Sequence, residues 1–264
     1  MTSLCAVSYL NTKPFLGGLY KEFTPMELSI KLLEPATCAQ SFLNNQSDIA
    51  LIPVGALLDL QQVAILPNYC IGANGKVDSV FIFSEVPIEQ VDTLYLDKNS
   101  RTSNGLARIL FKHYWKKNVT YLQENEHINH IRNQSAGVVI GDRAIALRNN
   151  FKYVYDLALE WREWADLPFV FAIWAYNPSK IDKNFINRLS IAFEKGLSDR
   201  TKIAAKWASS FEMTVASAFQ YLTQSIDYQL DDIKLAAIEV YLKELAIIEN
   251  LQVPHIQIGT FESS

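Results

Sequence analysis

The chain has 264 residues, of which 49% are hydrophobic, and a formal net charge of −4. This length supports one large core or two smaller ones, and the charge gives no reason to expect a nucleic-acid partner. Because no run of Lys or Arg, signal-peptide pattern or bilayer-length apolar stretch is present, we expect a cytoplasmic protein without a membrane partner. A small molecule is the expected ligand.

The first elements form a junction suited to an anion. An apolar run at residues 4–7 leads into Val-Ser-Tyr-Leu-Asn-Thr-Lys-Pro (residues 7–14), which predicts a strand followed by a helix. Thr12 or Asn11 is the expected N-cap and Pro14 lies in the first turn. Unpaired backbone N–H groups and the positive end of the helix dipole then face whatever binds in front.

The next part of the chain alternates short strands with helices. Helices are expected from residue 35 and over residues 103–115. Such repeated units predict an α/β fold with mainly parallel sheets and helices on both faces. Strands are expected at residues 27–33, 48–53, 79–83, 94–96, 119–122 and 136–140.

The C-terminal third changes character after Asn177-Pro178, where the pattern becomes almost entirely helical. The last stretch, 232–248, carries one apolar stripe that is typical of core packing. The expected helices span residues 185–195, 202–211, 215–222 and 232–248.

Two interruptions are candidate hinges: residues 84–91, which contain Pro87, and residues 175–179. If the chain crosses between lobes there, residues 1–84 and 177–264 form one lobe and residues 85–176 an inserted second lobe. A ligand would then bind in the cleft, where both walls supply polar groups and closure excludes water. One continuous α/β domain is the alternative.

Cysteine and histidine give little sign of metal or redox chemistry. Three widely spaced cysteines in apolar surroundings predict buried free thiols. His127 and His130 have helical spacing beside Glu124 and Glu126, but no further ligand follows at suitable spacing, so a solvated helix face is favoured over a metal site. The cysteines are Cys5, Cys38 and Cys70.

Four places are expected at the cleft, because ligands of such folds bind at the carboxyl ends of strands and the helix starts beyond them. They are Asn11-Thr12, Ser79, Ser100-Arg101-Thr102-Ser103 and Gly141-Asp142.

The Ser-Arg-Thr-Ser cluster carries the strongest chemical signal of the four. Its guanidinium and its hydroxyls at a helix start suit a carboxylate, although a capped helix with an exposed arginine explains the cluster equally well. For Asp142 an N-cap role is favoured over a catalytic one. Ser79 has no Gly-x-Ser-x-Gly context, which argues against a serine hydrolase.

Six motifs occur in order along nearly the whole chain, and together they resemble the chorismate dehydratase family of the futalosine route to menaquinone. The Tyr-Leu-Asn-Thr-Lys-Pro opening favours this family over its sister, 1,4-dihydroxy-6-naphthoate synthase. The resemblance implies a two-lobed, periplasmic-binding-protein-like (type II) fold without export. The motifs lie at residues 7–14, 48–54, 77–80, 100–103, 141–142 and 167–172.

The resemblance also implies an activity and residue roles. The expected enzyme is a hydro-lyase that converts chorismate into 3-[(1-carboxyvinyl)oxy]benzoate, with Asn11 and Ser79 nearest the reacting ring. The other candidates would bind substrate, with Asp142 a further member of the cleft. Those expected to hold the carboxylates are Thr12, Ser100, Arg101, Thr102 and Ser103.

Few titratable groups lie in these motifs, so we expect the substrate's own enolpyruvyl carboxylate to act as the base, while the protein supplies orientation and hydrogen bonds. No metal or organic cofactor is required. A binding protein for a small carboxylate and the sister synthase remain the alternatives.

Overall fold

The computed structural model describes residues 1–124 and 127–259, which fold around two β-sheets. Within these residues the strands in chain order are β1 (Thr2–Ala6), β2 (Leu28–Leu32), β3 (Ile49–Pro53), β4 (Gln62–Ala73), β5 (Val80–Ser84), β6 (Thr93–Tyr95), β7 (Thr120–Leu122), β8 (Ser135–Ile140), β9 (Tyr153–Asp156), β10 (Phe169–Tyr176), β11 (Asp227–Leu230) and β12 (His255–Ile258).

The helices pack on the faces of these sheets and fill the C-terminal third. They are α1 (Lys13–Glu22), α2 (Pro35–Leu43), α3 (Arg101–His113), α4 (Asp142–Leu147), α5 (Leu157–Ala165), α6 (Lys183–Ser198), α7 (Arg200–Trp207), α8 (Val215–Gln220) and α9 (Asp232–Glu249). Short 3₁₀ turns and one π-helical turn, Tyr221–Ser225, join some of them.

The first sheet has the strand order β11-β4-β10-β3-β1-β2, and β12 also pairs with β4. The second has the order β7-β6-β8-β5-β9. Each sheet is mixed. In the first, β1 runs parallel to β2 and β3, whereas β10 runs antiparallel to β3 and β4. In the second, β6 runs parallel to β7 and β8, whereas β5 runs antiparallel to β8 and β9. The expectation of mainly parallel sheets was therefore wrong, because β10 in the first sheet and β5 in the second run antiparallel to both of their neighbours.

The two sheets divide the chain at residues other than the expected lobe boundaries. Strand β5, expected in the first lobe, belongs to the second sheet, and β10, expected in the inserted lobe, belongs to the first. The crossings occur in connections that contain Asp78 and Asp166, both with positive φ. Pro87 instead precedes a 3₁₀ turn, and Asn177-Pro178 follows β10. The expected hinge prolines, Pro87 and Pro178, therefore lie outside both crossings.

Strand β4 has no counterpart among the sequence-based elements. Pro67 and Asn68, the latter with φ of 67°, interrupt its apolar pattern and make it resemble two fragments. In the sheet both halves are used: β12 pairs with residues 62–65 and β11 with residues 68–72. Partners on different segments of one strand allow it to run through the irregularity.

The C-terminal third contains the expected helices at slightly different bounds, and strands β11 and β12, which were not expected. Of the apolar stripe on α9, Tyr241 and Leu245 are buried, whereas Ile233 is 60% exposed. Strand β5 shows the alternation expected of a sheet covered on both sides: Val80 and Ile82 join the main core, and Phe81 and Phe83 join a smaller cluster on the other face.

The cysteines are free and buried, as predicted. His127 is also buried and bonds through Nε2 to the carbonyl of Val138 at 2.7 Å, which is a structural contact. His130 lies 3.6 Å from Glu124, while Glu126 lies outside the described residues. Across the described ranges, no group of three metal-ligating side chains occurs, and none of the helices is long and apolar enough to cross a membrane.

Candidate active site

A pocket lies between the two sheets and is lined by residues from both. It holds about 600 Å³ of space, part of it open to solvent. Most of the wall is apolar, including Leu51, Ile71 and Phe171, and suits a flat ring. Its polar side chains are Tyr9, Asn11, Ser79, Ser100, Thr102 and Ser103.

Asn11 enters the pocket from the 3₁₀ turn that follows β1, and three contacts fix it. Its Nδ2 donates to the Tyr221 hydroxyl at 3.2 Å, and its Oδ1 accepts from the Thr12 hydroxyl at 3.2 Å. Its backbone carbonyl accepts from the Tyr228 hydroxyl at 2.9 Å. A side chain held this way is already oriented before substrate binds.

Thr12 is fully buried but does not line the pocket. It occupies the N-cap position of α1 without a side-chain capping bond, because its hydroxyl bonds to Asn11 instead. Thr12 was expected to bind substrate. In the structure its hydroxyl instead contacts Asn11 and helps to orient the Asn11 amide.

Ser79 stands at the first crossing between the sheets, directly after Asp78, whose φ is 57°. The carboxylate of Asp156 fixes this turn by accepting from the backbone N–H groups of Val77 and Asp78 at 3.0 and 2.8 Å. Ser79 Oγ accepts from the Tyr221 hydroxyl at 3.0 Å, and its own donation to the Val77 carbonyl is long, at 3.5 Å.

The start of α3 supplies the other polar wall. Ser100 caps the helix by accepting from the Ser103 N–H at 3.2 Å. The Thr102 hydroxyl spans the two lobes, since it accepts from the Gly55 N–H at 3.0 Å and donates to the Phe171 carbonyl at 3.1 Å. The positive end of a 13-residue helix thus faces the pocket.

Arg101 does not line the pocket, contrary to the expectation that it would hold a carboxylate. Its guanidinium is paired with Asp59 and, at 2.9 Å, with Glu249. Successive helix residues point about 100° apart, so Arg101 faces α9 when Ser100, Thr102 and Ser103 face the cavity. Its role here is to tie α3 to neighbouring elements.

Asp142 is the first residue of α4, and Gly141 takes the N-cap position that was expected for it. Its carboxylate lies on the rim between lobes and accepts from the Leu10 N–H at 3.4 Å. Burial raises the pKa of Asp142 to about 6, opposed by the bond from Leu10 and by the charge of Lys13. Gly141 lines the pocket, and Asp142 does not.

Sequence reasoning missed the apolar lining of the pocket and three aromatic residues of the site. Tyr9 and Phe171 line the pocket and lie inside quoted motifs, so their place in those motifs was the available signal. Tyr221 lies in the helical third, 142 residues from Ser79 and 210 from Asn11, yet bonds to both. No local pattern in the sequence marks it.

Of the residues that line the pocket, Tyr9 is the one with a titratable side chain, and burial raises its pKa. The pocket can therefore orient a ring against apolar walls and direct neutral hydrogen bonds at it from two sides. A carboxylate fits at the start of α3. The residues that line the pocket include no charged side chain that could remove a proton from the ring.

Several solved structures share the fold. A protein of Archaeoglobus fulgidus superimposes with a TM-score of 0.73 at 14% identity, and the match covers 94% of this chain and 97% of that one. A Candida albicans gene product described as having the generic periplasmic binding protein fold gives 0.61 at 10% identity, over 98% of both chains. The periplasmic aliphatic sulphonate-binding protein of Escherichia coli gives 0.63 at 12%, over 100% and 95%. The two-lobed binding-protein fold expected from the sequence is confirmed.

Sequence relatives give the family. The chorismate dehydratase of Thermus thermophilus is 26% identical over 222 residues, which are 73% of this chain and 81% of that protein. A family model described as menaquinone biosynthesis matches residues 2–246. That match spans nearly the whole chain, and the protein therefore belongs to the menaquinone biosynthesis family.

Proposed function

We propose that this protein is a hydro-lyase that removes water from chorismate and releases 3-[(1-carboxyvinyl)oxy]benzoate. Family membership and the dehydratase relative support the assignment. The observation that carries it is that Asn11 and Ser79 both line one largely apolar pocket and both bond to a single buried hydroxyl, that of Tyr221.

The reaction makes modest demands on a protein. The C3–H and C4–O bonds break, a ring double bond forms, and the C4 hydroxyl leaves as water with one proton. Because the product ring is aromatic, the driving force lies within the substrate. The site then needs only to orient the substrate and to donate a hydrogen bond to the leaving oxygen.

In this proposal the substrate's enolpyruvyl carboxylate removes the C3 proton. Of the residues that line the pocket, none carries a carboxylate or an imidazole that could do so. Ser79 donates a hydrogen bond to the departing hydroxyl, and Asn11, which contacts the same Tyr221 hydroxyl, orients the ring substituents.

In this proposal a substrate carboxylate is bound by hydroxyls and by the dipole of α3, and not by the Arg101 guanidinium that the sequence suggested. Ser100 and Ser103 present hydroxyls at the N-terminus of α3 inside the pocket, where a carboxylate gains from directed donors and from the helix dipole. The Thr102 hydroxyl keeps its bonds to Gly55 and Phe171 and orders this helix start. Arg101 is committed to its ion pairs.

The two lobes follow from the sheets. We assign the first lobe to the seven-stranded sheet with its helices and the inserted lobe to the five-stranded sheet, from β5 to α5. The pocket is then the cleft between them, and opening of the cleft admits substrate.

The test is incubation of the purified protein with chorismate, with the aromatic product followed by chromatography and ultraviolet absorbance. Product formation supports the proposal. Recovery of unchanged chorismate with measurable binding would instead indicate a carboxylate-binding protein, and turnover of the cyclic futalosine product would indicate the sister synthase.

Variants test the residue roles. Asn11→Ala and Ser79→Ala should lower kcat more than they raise KM, since both groups act on the reacting ring more than on the anchored carboxylate. Arg101→Met serves as the control within the same motif set, and it should keep the wild-type KM. A rise in KM alone for Asn11→Ala and Ser79→Ala would contradict the catalytic assignment.

A further inference from the structure

The hydroxyl of Tyr221 contacts both groups that the proposed reaction uses. We propose that Tyr221 is a positioning residue, which fixes the separation of Asn11 and Ser79 and strengthens Ser79 as a hydrogen-bond donor to the leaving hydroxyl. This inference rests on the proposed function and extends it to a residue outside every motif of the sequence.

The geometry makes the phenol a bridge. Tyr221 Oη accepts from Asn11 Nδ2 at 3.2 Å and donates to Ser79 Oγ at 3.0 Å. Asn11 comes from the end of β1 and Ser79 from the crossing into the second sheet, so the bridge joins the two lobes. Because Tyr221 is 4% exposed, water has little access to compete for these bonds.

The direction of the bonds decides what Ser79 can do. A serine hydroxyl carries one hydrogen, and Tyr221 already donates to Ser79 Oγ. The Ser79 hydrogen therefore points elsewhere, and its protein acceptor, the Val77 carbonyl, is 3.5 Å away, near the limit of a hydrogen bond. A substrate hydroxyl in the pocket is a better acceptor.

The same bridge responds to the reaction. As the C4–O bond breaks, the leaving oxygen gains charge and its bond from Ser79 strengthens. Electron density then rises on Ser79 Oγ, where the donated hydrogen of Tyr221 stabilises it. Tyr221 keeps its own proton throughout. Burial raises the pKa of Tyr221 above its usual value, with Asp142 and Asp78 acting in the same direction and bonds to Ser79 and Asn11 opposing it.

The backbone supports this role independently. Tyr221 opens the π-helical turn, in which the Ile226 N–H bonds to the Tyr221 carbonyl at 3.1 Å. From the same turn the Ser225 hydroxyl donates to the Asp78 carboxylate at 2.7 Å. The turn thus holds both Ser79 and the residue before it, and π turns in helices occur frequently at functional sites.

The experiment compares Tyr221→Phe with the wild-type enzyme on chorismate. We expect kcat to fall on the order of 10- to 100-fold with little change in KM, since the bridging bond matters most in the transition state. Tyr69→Phe is the matched control. Tyr69 is also a buried tyrosine, and its hydroxyl bonds to Ser190 Oγ at 2.7 Å, away from the pocket. Tyr69→Phe should keep the wild-type kcat.

A double variant separates positioning from general loss of structure. If Tyr221 acts largely through Ser79, adding Tyr221→Phe to Ser79→Ala should lower kcat much less than Tyr221→Phe does in the wild-type background. Independent effects would multiply, and multiplied losses would overturn the proposal.

Other outcomes are equally decisive. Absence of product from the wild-type protein would remove the proposed function and this inference with it. Wild-type turnover with an unchanged kcat in Tyr221→Phe would remove the inference and leave the function intact. If Tyr221→Phe does not fold, Ser225→Ala replaces it: a lowered kcat is expected, and an unchanged kcat overturns the proposal.

Discussion

Replacing Asp142 by asparagine should stabilise the protein at neutral pH. The Asp142 carboxylate is partly buried on the rim between the lobes and accepts from the Leu10 N–H. The amide side chain of the variant would keep an oxygen acceptor for that bond while removing a charge that burial disfavours. The substitution therefore isolates the cost of the charge from the value of the hydrogen bond.

The magnitude follows from the pKa. A rise from 3.8 to about 6 in the folded protein corresponds to roughly 3 kcal/mol at most when the group is ionised, and partial exposure reduces this to about 1–3 kcal/mol. Between about pH 4 and 6 the folded protein binds more protons than the unfolded chain. Wild-type stability attributable to Asp142 thus falls as pH rises through that window, and Asp142→Asn lacks this loss.

The assay is urea unfolding of both proteins, followed by tryptophan fluorescence, at pH 4.5, 5.5 and 7.5. Burial also raises the pKa of Glu160 to about 7 and of Asp156 to about 6. Both residues are present in the wild type and the variant, so the difference in unfolding free energy reports Asp142. Asp142→Ala is the control, because it also removes the acceptor for Leu10 and should gain less.

This reasoning would be refuted if the difference in unfolding free energy between variant and wild type did not change with pH. It would also be refuted if Asp142→Asn were less stable than the wild type at pH 7.5. Turnover gives a second reading. Asp142→Asn should retain activity if the substrate supplies the base, and loss of turnover with folding and binding intact would make Asp142 the base.

Three further substitutions test the site. Arg101→Met should lower the unfolding free energy by about 1 kcal/mol or less and leave kcat/KM unchanged; a large rise in KM would show that the guanidinium reaches substrate. Gly141→Ala should cost about 1–3 kcal/mol in urea unfolding, because φ is 71° and ψ −157°. Its Cβ would lie 3.2 Å from the Tyr9 ring, so kcat/KM should fall too. Wild-type stability and wild-type kcat/KM would contradict the expected backbone strain at residue 141. Thr102→Val should lower the unfolding free energy by about 1–3 kcal/mol, since it leaves two backbone groups without partners; unchanged stability would show that water replaces the hydroxyl.

Most of the polar lining of the pocket could be predicted from local patterns. Asn11, Ser79, Ser100 and Thr102 stand where strands end or helices begin, and those positions meet at the cleft in this fold. Arg101 was expected at a substrate carboxylate because of its residue type, whereas in the structure it lies outside the pocket lining. Its direction depends on the helical phase and on partners that are distant in sequence, Asp59 and Glu249.

Elements that depend on distant pairing were the least predictable. Strand β4 carries Pro67 in its middle and is a strand because other segments pair with each half. The lobe boundaries were predicted at Pro87 and Pro178, whereas the chain passes between the sheets in connections that contain Asp78 and Asp166. Nothing local in the sequence distinguishes these aspartates from ordinary loop residues.

The bridge through Tyr221 limits how this enzyme can be dissected. A fragment ending at residue 176 would contain every catalytic and binding residue nominated from the sequence, yet it would lack the phenol that joins Asn11 to Ser79. The fragment would also lack β11, which closes one edge of the first sheet. Exchanging helical tails between related proteins would therefore change the contacts of Asn11 and Ser79, even though none of the tail's described residues, 177–259, lines the pocket.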